Sequence, residues 1–163
     1  MTKNIIGSLL FICSVIFSVG AFAQDQAAKD DQILKEYFAK NNIKASKTAS
    51  GLYYVITKEG SGETAKANQK VHMYYYGKFM DGKKFDANVD ENFKPVAGRD
   101  PLVFTLGVGQ VIRGWDEGVQ LLKPGTRATL YLPSGIGYGS ANRGPIPANS
   151  ILVFDVELIS VDK

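Results

Sequence analysis

Five aromatic side chains stand beside turns or at the ends of apolar runs: Tyr75, Phe85, Trp115, Tyr138 and Phe154. Strand and helix spacing makes core packing the default role for such rings. Two features point beyond packing. Tyrosine and tryptophan carry polar tips that need partners once buried. Tyr138 also lies within Gly135-Ile136-Gly137-Tyr138-Gly139, where a large ring has little reason to be unless it lines a cavity. A concave aromatic pocket with few polar groups is the usual form of a small-ligand or peptide site.

The groups that drive most reaction chemistry are absent. There is one histidine, His72, set in an alternating apolar/polar run that suits a surface or packing role. There is one cysteine, Cys13. Together they exclude a His/Cys zinc site, so no metal and no cofactor is expected. No G-x-S-x-G occurs, and Asp81-Gly82 and Asp90-Glu91 lack the carboxylate spacing of a calcium loop. Gly107-Val108-Gly109 lacks the third glycine and the βαβ frame of a nucleotide site. Nineteen Lys+Arg stand against sixteen Asp+Glu and are scattered singly, a pattern that argues against nucleic-acid binding.

The elements that must hold these rings can be read from periodicity. The chain has 163 residues, room for one domain. Lys3, an apolar run from Ile5 to Val19, and Ala21-Phe22-Ala23 describe a secretory signal peptide over residues 1–23. The apolar part is shorter than the roughly 20 residues a spanning helix needs. Cleavage after Ala23 removes Cys13 and leaves a chain without thiols. Export to the periplasm is expected, or beyond the cell.

Residues 24–50 read as a polar leader and a short helix. Gln24 to Lys29 is expected as a loose tail, with Asp30 and Asp31 as N-cap types. Ile33, Leu34, Tyr37 and Phe38 form one apolar stripe, ended by Asn41-Asn42. Three turns are short for a dimerisation arm, which favours a monomer over an obligate dimer.

From Gly51 the period changes to two. Strands are expected at 52–57, 71–76, 84–86, 102–106, 126–132 and 150–161, with an Asp81-Gly82 hairpin turn. Ile112, Trp115, Val119 and Leu122 fall on one face of a single helix halted by Pro124-Gly125. Segments 88–100 and 134–149 read as loops. The sum is an α+β fold, a twisted antiparallel sheet wrapped around one short helix.

Four ordered motifs within residues 51–161 resemble the FK506-binding peptidyl-prolyl isomerases. They are Gly82-Lys83-Lys84-Phe85-Asp86, the run from Gly107 to Gly118, Leu132-Pro133-Ser134-Gly135-Ile136-Gly137-Tyr138-Gly139, and Leu152 to Leu158. The resemblance implies an isomerase domain over residues 51–163 that accelerates X-Pro rotation. Trp115 would be the pocket floor, with Tyr75, Phe85, Val111, Ile112 and Phe154 as walls and Ile146 as a rim contact. Tyr138 would donate a hydrogen bond to a bound carbonyl, the N–H of Ile112 would hold a second, and Asp86 would be the acidic group near the twisting bond. Partners would be proline-containing unfolded or partly folded polypeptides, with FK506- or rapamycin-like macrolides as inhibitors. A non-catalytic peptide-binding module of the same fold is the alternative. The segment from Ala87 to Asp100 is longer than in small members, with Arg99 as the candidate partner of Asp86. Leu102 stands where many members have phenylalanine, and Pro145 replaces a branched aliphatic residue.

Overall fold

The computed structural model describes the backbone from Phe17 to Asp162 and side chains from Gln24 onward. Residues 1–16, most of the expected signal peptide, lie outside the described residues. The first helix, α1 (Phe17–Asn41), is longer than the stripe predicts, with 25 residues rather than three turns. Gln24 to Lys29 is therefore helical and not a loose tail. The helix ends where expected. Asn42 takes a left-handed φ of 55°, and the Ile43 N–H donates to the Phe38 carbonyl at 2.9 Å, the geometry of a Schellman stop.

Seven strands follow: β1 (Ser46–Lys47), β2 (Tyr53–Lys58), β3 (Lys70–Phe79), β4 (Lys84–Ala87), β5 (Leu102–Thr105), β6 (Arg127–Leu132) and β7 (Leu152–Val161). They form one sheet in the order β1-β2-β6-β7-β3-β4, with β5 also paired to β3. The described pairings are antiparallel. The expected central helix is split into α2 (Arg113–Gly118) and a 3-10 turn at Val119–Leu121.

Alternation sends each strand's residues to two faces. Leu130, Leu132, Phe154 and Val156 face inward against α2. Tyr53, Tyr131 and Val153 face outward, and Leu34 and Phe38 of α1 cover them. Gly114 lets α2 lie close on the sheet, because a Cβ there would sit 2.5 Å from Leu132 Cγ. Gly118, one turn on, meets Leu130 in the same way.

Candidate functional site

Trp115 is carried by α2 into the inner face of the sheet and is 3% exposed. Tyr75 of β3 meets its ring edge-on at 5.4 Å and 82°, and Phe154 of β7 does so at 5.3 Å and 86°. Phe85 of β4 stands edge-to-face against Phe154 at 5.4 Å. Each such pair adds about 0.5–1.5 kcal/mol beyond area burial. The rings thereby form a rigid wall around a floor. The Trp115 indole N–H finds no acceptor among the described residues, so the ring earns its place by shape and apolar area.

These rings border a cleft of about 820 Å³. Every residue expected at the site lines it: Tyr75, Phe85, Asp86, Val111, Ile112, Trp115, Tyr138, Ile146 and Phe154. The structure places Ile146 deeper than the rim. Arg143 and Ile146 form a bridge that turns the loop back on itself, and Ile146 is 6% exposed and packed with the core. It lines the cleft from a buried position. Tyr138 is 39% exposed and stands at the mouth. Leu102, Gln110, Arg143 and Pro145 complete parts of the lining. Of these, Gln110 and Arg143 were not singled out by the sequence, because loop polar residues carry no periodic signal.

Backbone devices hold the walls. Gly77 of β3 lies under two rings, and a Cβ there would meet Phe85 Cε2 at 2.7 Å and Phe154 Cε1 at 2.9 Å. The turn that delivers Val111 and Ile112 is pinned by Asp116. Its carboxylate accepts the N–H groups of Gly107 at 2.9 Å and Gly109 at 2.8 Å. Both glycines have φ near +76°, a region costly for residues with a side chain.

The polar edge is built around Asp86. Tyr75 donates its hydroxyl to Asp86 Oδ2 at 2.6 Å, and the Arg99 guanidinium pairs with Asp86 Oδ1. Burial, then the bond to Asp86, pushes the Tyr75 hydroxyl up to about 12. The phenol is thus neutral across the physiological range. The neighbouring Asp86 carboxylate raises Arg99 above its ordinary value.

Asn88, nearly fully buried, explains how the segment from 88 to 100 brings Arg99 to Asp86. Its Oδ1 accepts the Tyr75 N–H at 2.7 Å, and its Nδ2 donates to the carbonyls of Met73 at 3.0 Å and Asp100 at 3.2 Å. Both ends of the 88–100 segment are therefore tied to β3. Asn88 was not singled out from sequence.

An antiparallel sheet wrapped on a short helix, with an aromatic cleft between them, agrees with the family that the sequence matches. Residues 61–159 match FKBP-type peptidyl-prolyl cis-trans isomerase, and the chain belongs to that family. It is 41% identical over 145 residues to the FKBP-type peptidyl-prolyl cis-trans isomerase FkpA of Aeromonas hydrophila, covering 88% of this chain and 51% of that protein. It is 46% identical over 114 residues to the peptidyl-prolyl cis-trans isomerase Fkbp12 of Drosophila melanogaster, covering 69% of this chain and 99% of that one. The crystal structure of FkpA from Escherichia coli aligns with a TM-score of 0.68 at 35% identity, over 89% of this chain and 65% of that one. The chain thus spans about half the length of the bacterial relative from Aeromonas.

Proposed function

We propose that this protein is a peptidyl-prolyl cis-trans isomerase acting on unfolded or partly folded polypeptides, exported through a signal peptide cleaved after Ala23. The observation that carries the reading is the open cleft floored by Trp115 and walled by rings locked edge-to-face. X-Pro rotation meets a barrier of about 18–20 kcal/mol, because amide resonance is lost in the twisted state. The planar amide has the more polarised carbonyl and loses more on leaving water. A dry aromatic cleft therefore destabilises the planar form relative to the twisted one, and only that differential lowers the barrier.

In this reading Tyr138, at the mouth, donates its hydroxyl to a substrate carbonyl. The N–H of Ile112, extended at the head of α2, holds a second carbonyl. Asp86, oriented by Tyr75 and Arg99, faces the carbonyl carbon as it rotates out of conjugation. No proton or electron pair is transferred, which agrees with the absence of nucleophile and metal motifs. FK506- or rapamycin-like macrolides would occupy the same cleft as inhibitors, and periplasmic or secreted chains would be the clients.

The test is a protease-coupled assay on Leu-Pro and Phe-Pro tetrapeptides with the chain from Gln24, with and without a macrolide. Acceleration of proline exchange that the macrolide abolishes is expected. Macrolide binding with exchange at its spontaneous rate would instead make the protein a binding module of the same fold. Mass spectrometry of the exported protein, expected to begin at Gln24, tests the processing.

A further inference from the structure

We propose that Asp30 is a positioning residue for the isomerase site, acting from α1 on the loop that carries Tyr138. The proposal rests on the reading of the cleft given above. Asp30, Leu34 and Phe38 are buried at intervals of four on one face of α1. Leu34 and Phe38 pack on the outer face of the sheet. Asp30 is 1% exposed, and among the described residues no cation pairs with it. A buried carboxylate without a counter-ion is tolerated only where donors replace the lost water.

Three donors do so. Gln26 Nε2 donates to Oδ1 at 2.7 Å. The backbone N–H and the hydroxyl of Ser134 both donate to Oδ2, at 2.7 Å and 2.6 Å. Ser134 opens the 3-10 turn Ser134–Ile136, whose N-cap is Pro133. Proline has no side-chain acceptor with which to cap the turn. Asp30 supplies that acceptor from an element 104 residues away, satisfying an N–H that a helix start leaves orphaned.

Ser134 then acts as a hub. Its carbonyl accepts the N–H groups of Gly137 at 3.0 Å and Gly139 at 2.9 Å. Those two residues flank Tyr138. The glycines around Tyr138 restrict the backbone little by themselves, so its place at the cleft mouth depends on this hub. The chain of contacts runs Asp30, Ser134, Gly137 and Gly139, Tyr138. The leader helix is therefore part of the isomerase unit, and the helix–sheet contact sets the hydroxyl that holds substrate.

The experiment uses the full chain as purified after natural processing, with variants D30A, D30N, S134A and F38A. Two readouts are taken: ¹⁵N–¹H amide spectra of Gly135, Gly137, Tyr138 and Gly139, and kcat and KM in the isomerase assay. D30A is expected to shift or broaden those four amides while the Trp115 indole resonance and the circular dichroism stay as in the parent. KM should rise about fivefold with kcat held, because a contact made equally in ground and transition states is weakened. D30N retains one acceptor oxygen and S134A retains the backbone donor, so both should fall between D30A and the parent. The double variant D30A/S134A should be no worse than D30A.

Unmoved loop amides in folded D30A would overturn the proposal. If D30A fails to fold, unmoved amides in both D30N and S134A would do so. An equal KM rise in F38A would assign the effect to helix docking at large and also overturn it. If the parent accelerates no proline exchange, the isomerase reading fails on its own, and the amide spectra still decide whether Asp30 orders the loop.

Discussion

The two faces of the sheet are built from similar residues and end differently. On the inner face Tyr75, Phe85, Trp115 and Phe154 border an open cleft. On the outer face Phe38, Tyr53 and Tyr131 pack on one another beneath α1, Phe38 meeting Tyr53 at 5.0 Å and Tyr131 at 4.9 Å. Ring geometry does not separate them, since both sets contact edge-to-face. The covering element does. α1 has 25 residues and lays Leu34 and Phe38 along the strands. α2 has six, two of them glycines pressed on Leu132 and Leu130. A short helix drawn close to the sheet shields one end of the inner face and leaves the other uncovered. Aromatic strands make a core or a site according to how much of them the next element covers.

Removing the floor should break this contrast most strongly. Trp115→Ala is expected to abolish macrolide binding and isomerase activity and to destabilise the fold by about 3–5 kcal/mol. Denaturant unfolding and circular dichroism separate the two losses. Its counterpart on the closed face is Phe38→Ala. A similar loss of about 3–5 kcal/mol is expected there, with macrolide affinity in the folded protein kept within about twofold of the parent. A cleft that failed together with Phe38 would show that the faces are one unit rather than two.

Gly77→Ala should come next. The added methyl must displace Phe85 and Phe154, at about 1–3 kcal/mol of overpacking. Titration of a pocket ligand should show affinity falling more steeply than thermal stability. Asp86→Ala is expected to lower kcat about tenfold with macrolide affinity little changed; equal losses in both would remove its assigned role beside the rotating bond.

The smallest effect is expected in acid. Hydrogen bonds from Lys35, then Lys47, with a further one from Tyr53, hold the Asp31 carboxyl well below the usual carboxylate range, and those from Lys47 and Tyr53 tie α1 to β1 and β2. A depressed carboxylate stabilises the fold above its unfolded pKa and loses that contribution as pH falls. Exposure of the pair keeps the effect modest. Below about pH 4, amide protection relative to the intrinsic exchange rate should fall in α1 before it falls in the strands that wall the cleft.

Much of the fold is legible because its signals are local. Leu152 to Leu158 alternates with period two, and β7 lies there. Asp81-Gly82 marks a hairpin, and Gly82 has the φ of 86° that such a turn requires. The stripe of Ile112, Trp115, Val119 and Leu122 points to one face, and Ile112 and Trp115 line the cleft on that face. Asp30 shows where local reading fails. Aspartate before an apolar stripe reads as the cap of its own helix, yet it lies within α1 and caps a turn 104 residues on. Ile146, between two prolines in a Gly-rich loop, has no period to declare it buried. Arg99 could be named as a partner for Asp86, but its arrival depends on Asn88 binding both ends of the 88–100 segment.

The residues alone therefore determined the alternating strands, the central apolar stripe, the aromatic inventory and the absence of reactive groups. These follow from periods of two and 3.6 and from side-chain chemistry, which need no knowledge of distant contacts. Folding decided which aromatic face stayed open, how far α1 extended and which carboxylate supported Tyr138. Those outcomes depend on residues far apart in the chain meeting across the sheet, and such meetings leave no period in the sequence.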